Sequence, residues 1–213
     1  MGKIILYHGT PDKFTKPILI KQTKTTDFGV GFYLTTYNQQ AKDWGENGYY
    51  LRREIWIEVL SIDQQHKKWT EKYGYAPPKE ILIFDKIPFE KYHGNEYYVK
   101  NFSLDLEIIK KIFKVKEFNK YDEEWFDFVA EYRNAKKLNC KPAHDITIGP
   151  LADGGELTKT LYMYEHNEIT KEEALERIKF KKDNNQYCIH NEEILNHYLK
   201  FEGCDKFEHS NNI

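Results

Sequence analysis

Two stretches decide the fold: Tyr7-His8-Gly9-Thr10, and Asp27-Phe28-Gly29-Val30-Gly31-Phe32-Tyr33-Leu34-Thr35-Thr36. The first continues the apolar run Lys3-Ile4-Ile5-Leu6, which predicts a strand with a His, a Gly and a Thr at its mouth. The second is a two-glycine turn feeding the aromatic pair Phe32-Tyr33, and its glycines permit positive φ or a close approach of the backbone to a ligand. Asn38-Gln39-Gln40-Ala41-Lys42-Asp43-Trp44 predicts a short helix capped by Asn38. Tyr33 and Trp44 then flank a strand-to-helix bend. Two aromatics, a glycine backbone and an imidazole can together clamp a flat heteroaromatic ring.

His8-Gly9-Thr10 resembles the His-Gly-Ser/Thr of NAD-using ADP-ribosyltransferases of the poly(ADP-ribose) polymerase and diphtheria-toxin type, and Phe28-Gly29-Val30-Gly31-Phe32-Tyr33 resembles their Phe-Gly-Lys-Gly-Ile-Tyr. Trp44 falls eleven residues after Tyr33, where that family places a second stacking aromatic. The whole chain also resembles a family of bacterial proteins of unknown function that share this fold. The blocks that carry this second resemblance are Asp27–Thr36, the Trp125-x-x-Phe128-Val129 helix, the His144–Pro150 strand and the Asn184-Asn185-Gln186-Tyr187 strand. It covers residues 1–45 and 115–203, with 46–95 poorly covered. The fold implied is α+β, an ADP-ribosyltransferase-like split β-sandwich with peripheral helices, forming a single domain over 1–213 with 46–95 as an insertion.

The resemblance also implies a site. Gly9 offers its backbone to the nicotinamide carboxamide, His8 and Thr10 hold the adenosine-side ribose, and Tyr33 and Trp44 sandwich the nicotinamide. Phe28 and Gly31 complete the NAD-binding set. The catalytic trio would be His8, Tyr33 and Gln186, the last standing where chain-elongating relatives carry a Glu. Gln keeps the shape and the hydroxyl contact of Glu but has no charge and is no general base, so single ADP-ribose additions are expected rather than polymer. Ala41 stands where many relatives have a Ser that bonds the carboxamide.

The implied activity is therefore NAD-dependent mono-ADP-ribosyl transfer to a macromolecular acceptor, protein or nucleic acid. NAD serves as co-substrate, and no metal is required. The family context is that of a toxin or defence effector with an antitoxin-like protein partner. An NAD glycohydrolase and a non-catalytic NAD or ADP-ribose binder are the competing readings.

The bulk composition is consistent with this and excludes little else. A chain of 213 residues can bury a core, and a net charge of −2 gives no support to a non-specific nucleic-acid binder. Lys110, Lys111, Lys114 and Lys116 are read as a solvated helix face. Cys140, Cys188 and Cys204 form neither a disulfide framework nor a metal pattern. With no signal-like N-terminal run and no apolar stretch near the ~18 residues of a membrane helix, a cytoplasmic protein is expected. Mean hydropathy is low at −0.77, yet 15% of residues are aromatic, so the core is expected to be built from rings.

Along the chain, the alternation in Arg53–Leu60 predicts a strand, followed by a polar stretch, a stop at Ala76-Pro77-Pro78 and an apolar run Ile81–Phe84. Glu96–Val99 predicts a returning strand. Asp122 is placed to cap a helix whose Trp125, Phe128, Val129 and Tyr132 share one face. A buried ion pair is the expected account of Asp145 and Arg133. Asp153-Gly154-Gly155 predicts a turn, Glu156–Glu165 a helix, Thr170-Lys171-Glu172-Glu173 a capping box, and Asn191 the cap of a short terminal helix.

Overall fold

The computed structural model describes residues 2–19, 22, 24–58, 96–152, 154–180 and 185–208. Seven strands form one hydrogen-bonded sheet in the order β4-β5-β6-β2-β1-β3-β7. They are β1 Lys3–Thr10, β2 Phe32–Thr35, β3 Glu96–Asp105, β4 Val115–Glu117, β5 Ile146–Pro150, β6 Asn185–Ile189 and β7 Lys200–Glu208. The pair β4/β5 is parallel and the other neighbours are antiparallel. Among the described residues, five α-helices flank the sheet: α1 Asn38–Glu58, α2 Leu106–Ile112, α3 Glu123–Arg133, α4 Gly154–Glu165 and α5 Lys171–Ile178. Strands and helices without regular βαβ alternation make this an α+β protein.

A sandwich implies two stacked sheets. Here hydrogen bonding runs through all seven strands, and the split is a near-parting inside one sheet. β1 pairs with β3 along its whole length, from Lys3↔Asp105 to Thr10↔Tyr98, but meets β2 at the single pair Tyr7↔Thr35. β2 in turn pairs with β6 along its whole length.

Because alternate residues of a strand face opposite ways, each face of the sheet gathers its own core. Leu6, Phe32, Leu34, Phe102, Leu104, Ile146 and Ile189 belong to one. Phe28, Phe118, Trp125, Phe126, Val129 and Cys188 belong to the other, which is built largely of rings as the composition suggests.

Three of the four expected caps fall where the sequence puts them. Asp122 accepts from the Trp125 amide at 3.0 Å, and Thr170 and Glu173 form a reciprocal capping box. Asn191 accepts from the Glu193 amide at 2.8 Å and introduces a π-helical turn, Ile194–Tyr198. The basic stretch is a solvated face whose Lys110 and Lys116 pair with Glu117 and Glu124. α4 begins at Gly154, so the predicted Gly-Gly turn is its first turn.

The expected strand at 53–60 is a correction: α1 continues as helix through Glu58. The alternation of Ile55, Ile57 and Val59 is too short to override a helix already propagating from Asn38 with no proline in its path. Asn38 itself is the first helical residue rather than the cap. Instead the Tyr37 amide bonds Thr35 Oγ1 at 3.0 Å as the chain enters the helix. The predicted features at 59–60, Ala76-Pro77-Pro78 and Ile81–Phe84 lie outside the described residues.

Candidate functional site

The site assembles where β1 and β2 part. At Tyr7↔Thr35 the ladder ends, and the His8 side chain takes over the link: its Nδ1 lies 2.7 Å from the Tyr33 carbonyl oxygen. A carbonyl only accepts, so Nδ1 carries the proton and Nε2 is a bare acceptor. The half-buried ring stacks on Phe32, centroids 4.4 Å apart. Burial lowers the His8 pKa to about 4, with the Lys100 charge acting in the same direction, so the imidazole is neutral at physiological pH.

Gly9 is packed from behind by α1. A Cβ on Gly9 would stand 1.6 Å from the Ala41 carbonyl oxygen and 2.7 Å from the Gly45 nitrogen, so no other residue fits. Ala41 is itself fully buried and supplies no hydroxyl. Gly45 lets the helix lie on Thr10 and Tyr97, since a Cβ there would meet the Thr10 nitrogen at 3.2 Å and the Tyr97 ring at 2.8 Å. Trp44 is half-buried one residue earlier on α1. Thr10 is buried, and its hydroxyl accepts from the Asp12 amide at 3.1 Å.

Tyr33 is locked by its own turn. Its hydroxyl donates to the Gly29 carbonyl at 2.8 Å and accepts from the Phe28 amide at 3.0 Å. Burial pushes its pKa well up, so the hydroxyl stays protonated. Gly29 has φ +75°, the left-handed conformation that the tight turn needs. Gly31 is held close, since a Cβ there would meet Cys188 Sγ at 2.2 Å. The Phe28 ring is fully buried against Phe118 and Phe128, in the ring-rich core. Gly31 likewise serves the packing of the turn.

Gln186 lies on β6 opposite Thr35 and shares a face with Thr35 and Tyr33. His8, two strands away, points to the other face with Phe32. The structure thus joins His8 to Tyr33 through a carbonyl, and Tyr33 to Gln186 through the β2/β6 ladder. Gln186 Nε2 donates to Asp27 Oδ2 at 2.7 Å. A carboxylate only accepts, so this bond fixes the amide and turns Oε1 away as an acceptor. Asp27 is the hub that the sequence reading missed. It is 2% exposed, pairs with Arg133 through Oδ1 and accepts from the Ala152 amide at 3.2 Å. The buried ion pair expected of Asp145 and Arg133 is a correction: Arg133 pairs with Asp27. Asp145 instead accepts from the Lys114 amide and the Asn191 side chain, both at 2.8 Å.

Three further polar groups surround the site. Gln40 is 5% exposed, with Oε1 accepting from Thr35 Oγ1 at 2.7 Å and Nε2 buried without a partner among the described residues. His190 bonds Val30 O through Nδ1 at 2.6 Å and Thr147 Oγ1 through Nε2 at 2.9 Å. Burial raises the Cys188 thiol well above its usual value, so it is no nucleophile. All three cysteines are free.

Among the described residues, no group of three or more His, Cys, Asp or Glu could hold a metal ion, and no helix is long and apolar enough to cross a membrane. The fold and site define an α+β protein whose buried and half-buried polar groups gather where β1 and β2 part. By its sequence it belongs to the family described as "Protein of unknown function (DUF3990)", whose profile matches residues 4–73 and 84–201. Nothing among curated proteins or solved structures matches the chain.

Proposed function

We propose that this protein is an NAD-dependent mono-ADP-ribosyltransferase with an ADP-ribosyltransferase-like fold, acting on a macromolecular acceptor. The observation that carries the reading is the parting of β1 from β2, bridged by His8 Nδ1 on the Tyr33 carbonyl. It fixes the tautomer and leaves His8 Nε2, with no hydrogen bond among the described residues, to accept from a ribose hydroxyl. In this reading the Gly9 backbone would hold the carboxamide, and the Tyr33 ring, on the opposite face of β2 from His8 with Gln186, would meet the nicotinamide from that side.

Gln186 supports the same reading. Its amide nitrogen is engaged by Asp27, so Oε1 can accept from the nicotinamide-ribose 2′-hydroxyl. Cleavage of the glycosidic bond builds positive charge on that ribose, and an oriented amide oxygen stabilises it less than a carboxylate would. With no general base at this position, deprotonation falls to the acceptor, which fits single additions. A toxin or defence role and a protein partner of the antitoxin kind accord with this chemistry.

The test is incubation with labelled NAD and whole-cell extract, followed by nuclease or protease digestion. Label is expected in one macromolecular class, as single additions by mass, with His8→Ala about 10²-fold slower and Gln186→Ala markedly impaired. Free ADP-ribose without macromolecular label would make the protein a glycohydrolase. NAD binding without turnover would make it a sensor. No binding or turnover in the wild type, with His8→Ala indistinguishable from it, would end the reading.

A further inference from the structure

Beside the β1/β3 ladder, on the His8 face of the sheet, lies a concavity of about 400 Å³ walled by Phe14, Tyr98 and Phe201, with Lys13, Lys100 and Cys204 in its lining. Lys100 is directly opposite His8 on β3 and directly opposite Cys204 across to β7. It is 2% exposed, yet among the described residues it makes no ion pair with a carboxylate. Its ammonium donates to the Phe14 carbonyl and lies 4.0 Å from Cys204 Sγ. It also sits over two ring faces, 4.4 Å from the Phe14 centroid and 5.3 Å from that of Tyr98.

Burying a cation against a carbonyl and two π-faces offsets only part of its desolvation. Consistent with this, burial lowers the Lys100 pKa, although the charge of Asp12 acts the other way. A second ammonium, that of Lys13, lies 5.8 Å from the Tyr98 centroid at the rim, and there Glu96 is shared between Lys13 and Lys206. The pocket therefore presents positive charge beside flat apolar walls. Phe201, 38% exposed, leaves one of those walls open.

We propose that this pocket binds a small planar ring carrying one anionic group, phosphate or carboxylate, with the anion on Lys100 and Lys13 and the ring against Phe14 and Phe201. A lysine ammonium is a point charge that serves either anion, and aromatic faces accept any flat ring, so the two sources share one chemistry. The pocket adjoins His8, which faces Lys100 across the β1/β3 ladder and packs against Phe14, but the proposal does not rest on what binds at the parting of β1 and β2.

Calorimetric titration of the full chain with AMP, indole-3-acetate, adenosine and inorganic phosphate tests it. At least one ring-bearing anion is expected to bind about tenfold more tightly than both adenosine and phosphate. AMP alone would identify phosphate as the anion, indole-3-acetate alone would identify carboxylate, and either outcome supports the site. Lys100→Met should abolish this binding, while Lys13→Ala and Phe201→Ala should each weaken it about threefold. The two surface variants keep the test decisive if Lys100→Met does not fold.

Pyridoxal 5′-phosphate with borohydride gives an independent readout. The Lys100 amine condenses with the aldehyde, water leaves, and borohydride supplies hydride to the imine. The bound AMP or indole-3-acetate should protect Lys100 from that label, read by peptide mass. Inorganic phosphate binding as well as the ring-bearing anions, wild-type affinity in all three variants, or labelling that spares Lys100 would overturn the proposal.

Discussion

His190, just past β6, and His8, near the end of β1, each hold a proton on Nδ1 against a carbonyl of the Val30–Tyr33 segment, at 2.6 and 2.7 Å. Burial lowers both pKa values to about 4. The difference lies at the other nitrogen. His190 Nε2 accepts from Thr147 Oγ1 where β5 and β6 are fully zipped, so every polar atom of the ring is engaged. His8 Nε2 is left over where β1 and β2 come apart. The same imidazole closes a network in one place and leaves it open in the other, which is the difference between a structural group and one available to a ligand.

Truncating each ring is the sharpest way to break that contrast. His190→Ala removes a buried ring and leaves Val30 O and Thr147 Oγ1 unsatisfied, at an expected cost of about 4 kcal/mol in chemical denaturation. His8→Ala should cost only about 1 kcal/mol, because its ring is half-buried and has one bond to lose. Equal losses would place both histidines in the same structural role.

The pH dependence follows from both rings. Each folded pKa, about 4, lies below the reference value of 6.5, so the unfolded chain binds protons first as pH falls. Stability should decline from pH 6.5 toward 4 and level off below it, with up to about 3 kcal/mol at stake per ring. His190→Ala should flatten that slope, and its deficit should shrink from pH 7 to pH 4.5. A deficit independent of pH would show that His190 titrates alike in the folded and unfolded chain.

A smaller effect sharpens the picture at the third position. Gln186→Glu would put a carboxylate within hydrogen-bond distance of Asp27, whose Oδ1 alone is matched by Arg133. A loss of about 2 kcal/mol is expected at pH 7.5, recovered on acidification because the raised carboxyl pKa makes the folded variant bind a proton before the unfolded one does. If the variant matches wild type at pH 7.5, the Gln186 amide is not held by Asp27 as described.

Much of this was readable before any coordinates. The strand at Lys3–Tyr7, the caps at Asp122 and Thr170 and the aromatic face of α3 are written in local patterns a few residues long. His8 and Tyr33 stood out in the sequence, and the structure links them by one bond, from His8 Nδ1 to the Tyr33 carbonyl. Asp27 did not stand out, because its partners stand 106 and 159 residues away, and no local pattern records such a pairing. His190 and Lys100 escaped for the same reason: an isolated His or Lys in a strand context gives no sign of what faces it. The helix through Glu58 was missed because a two-residue period over five residues is weak against helix propagation.

The register of β2 also has a consequence for biosynthesis. Phe32–Thr35 finds its main ladder with Asn185–Ile189, so the turn that carries Tyr33 lacks that neighbour until the chain is translated past residue 189. β1 and β3 can pair much earlier, as a long-loop hairpin. Synthesis should therefore pass through a stage in which one half of the sheet is laid down while the other waits, as expected for contacts of such wide sequence separation. On a ribosome stalled before residue 185, the nascent chain would carry His8 and Gly9 in place but neither Gln186 nor the strand that sets Tyr33. His8 and Gln186 would share one sheet only once β6 has emerged.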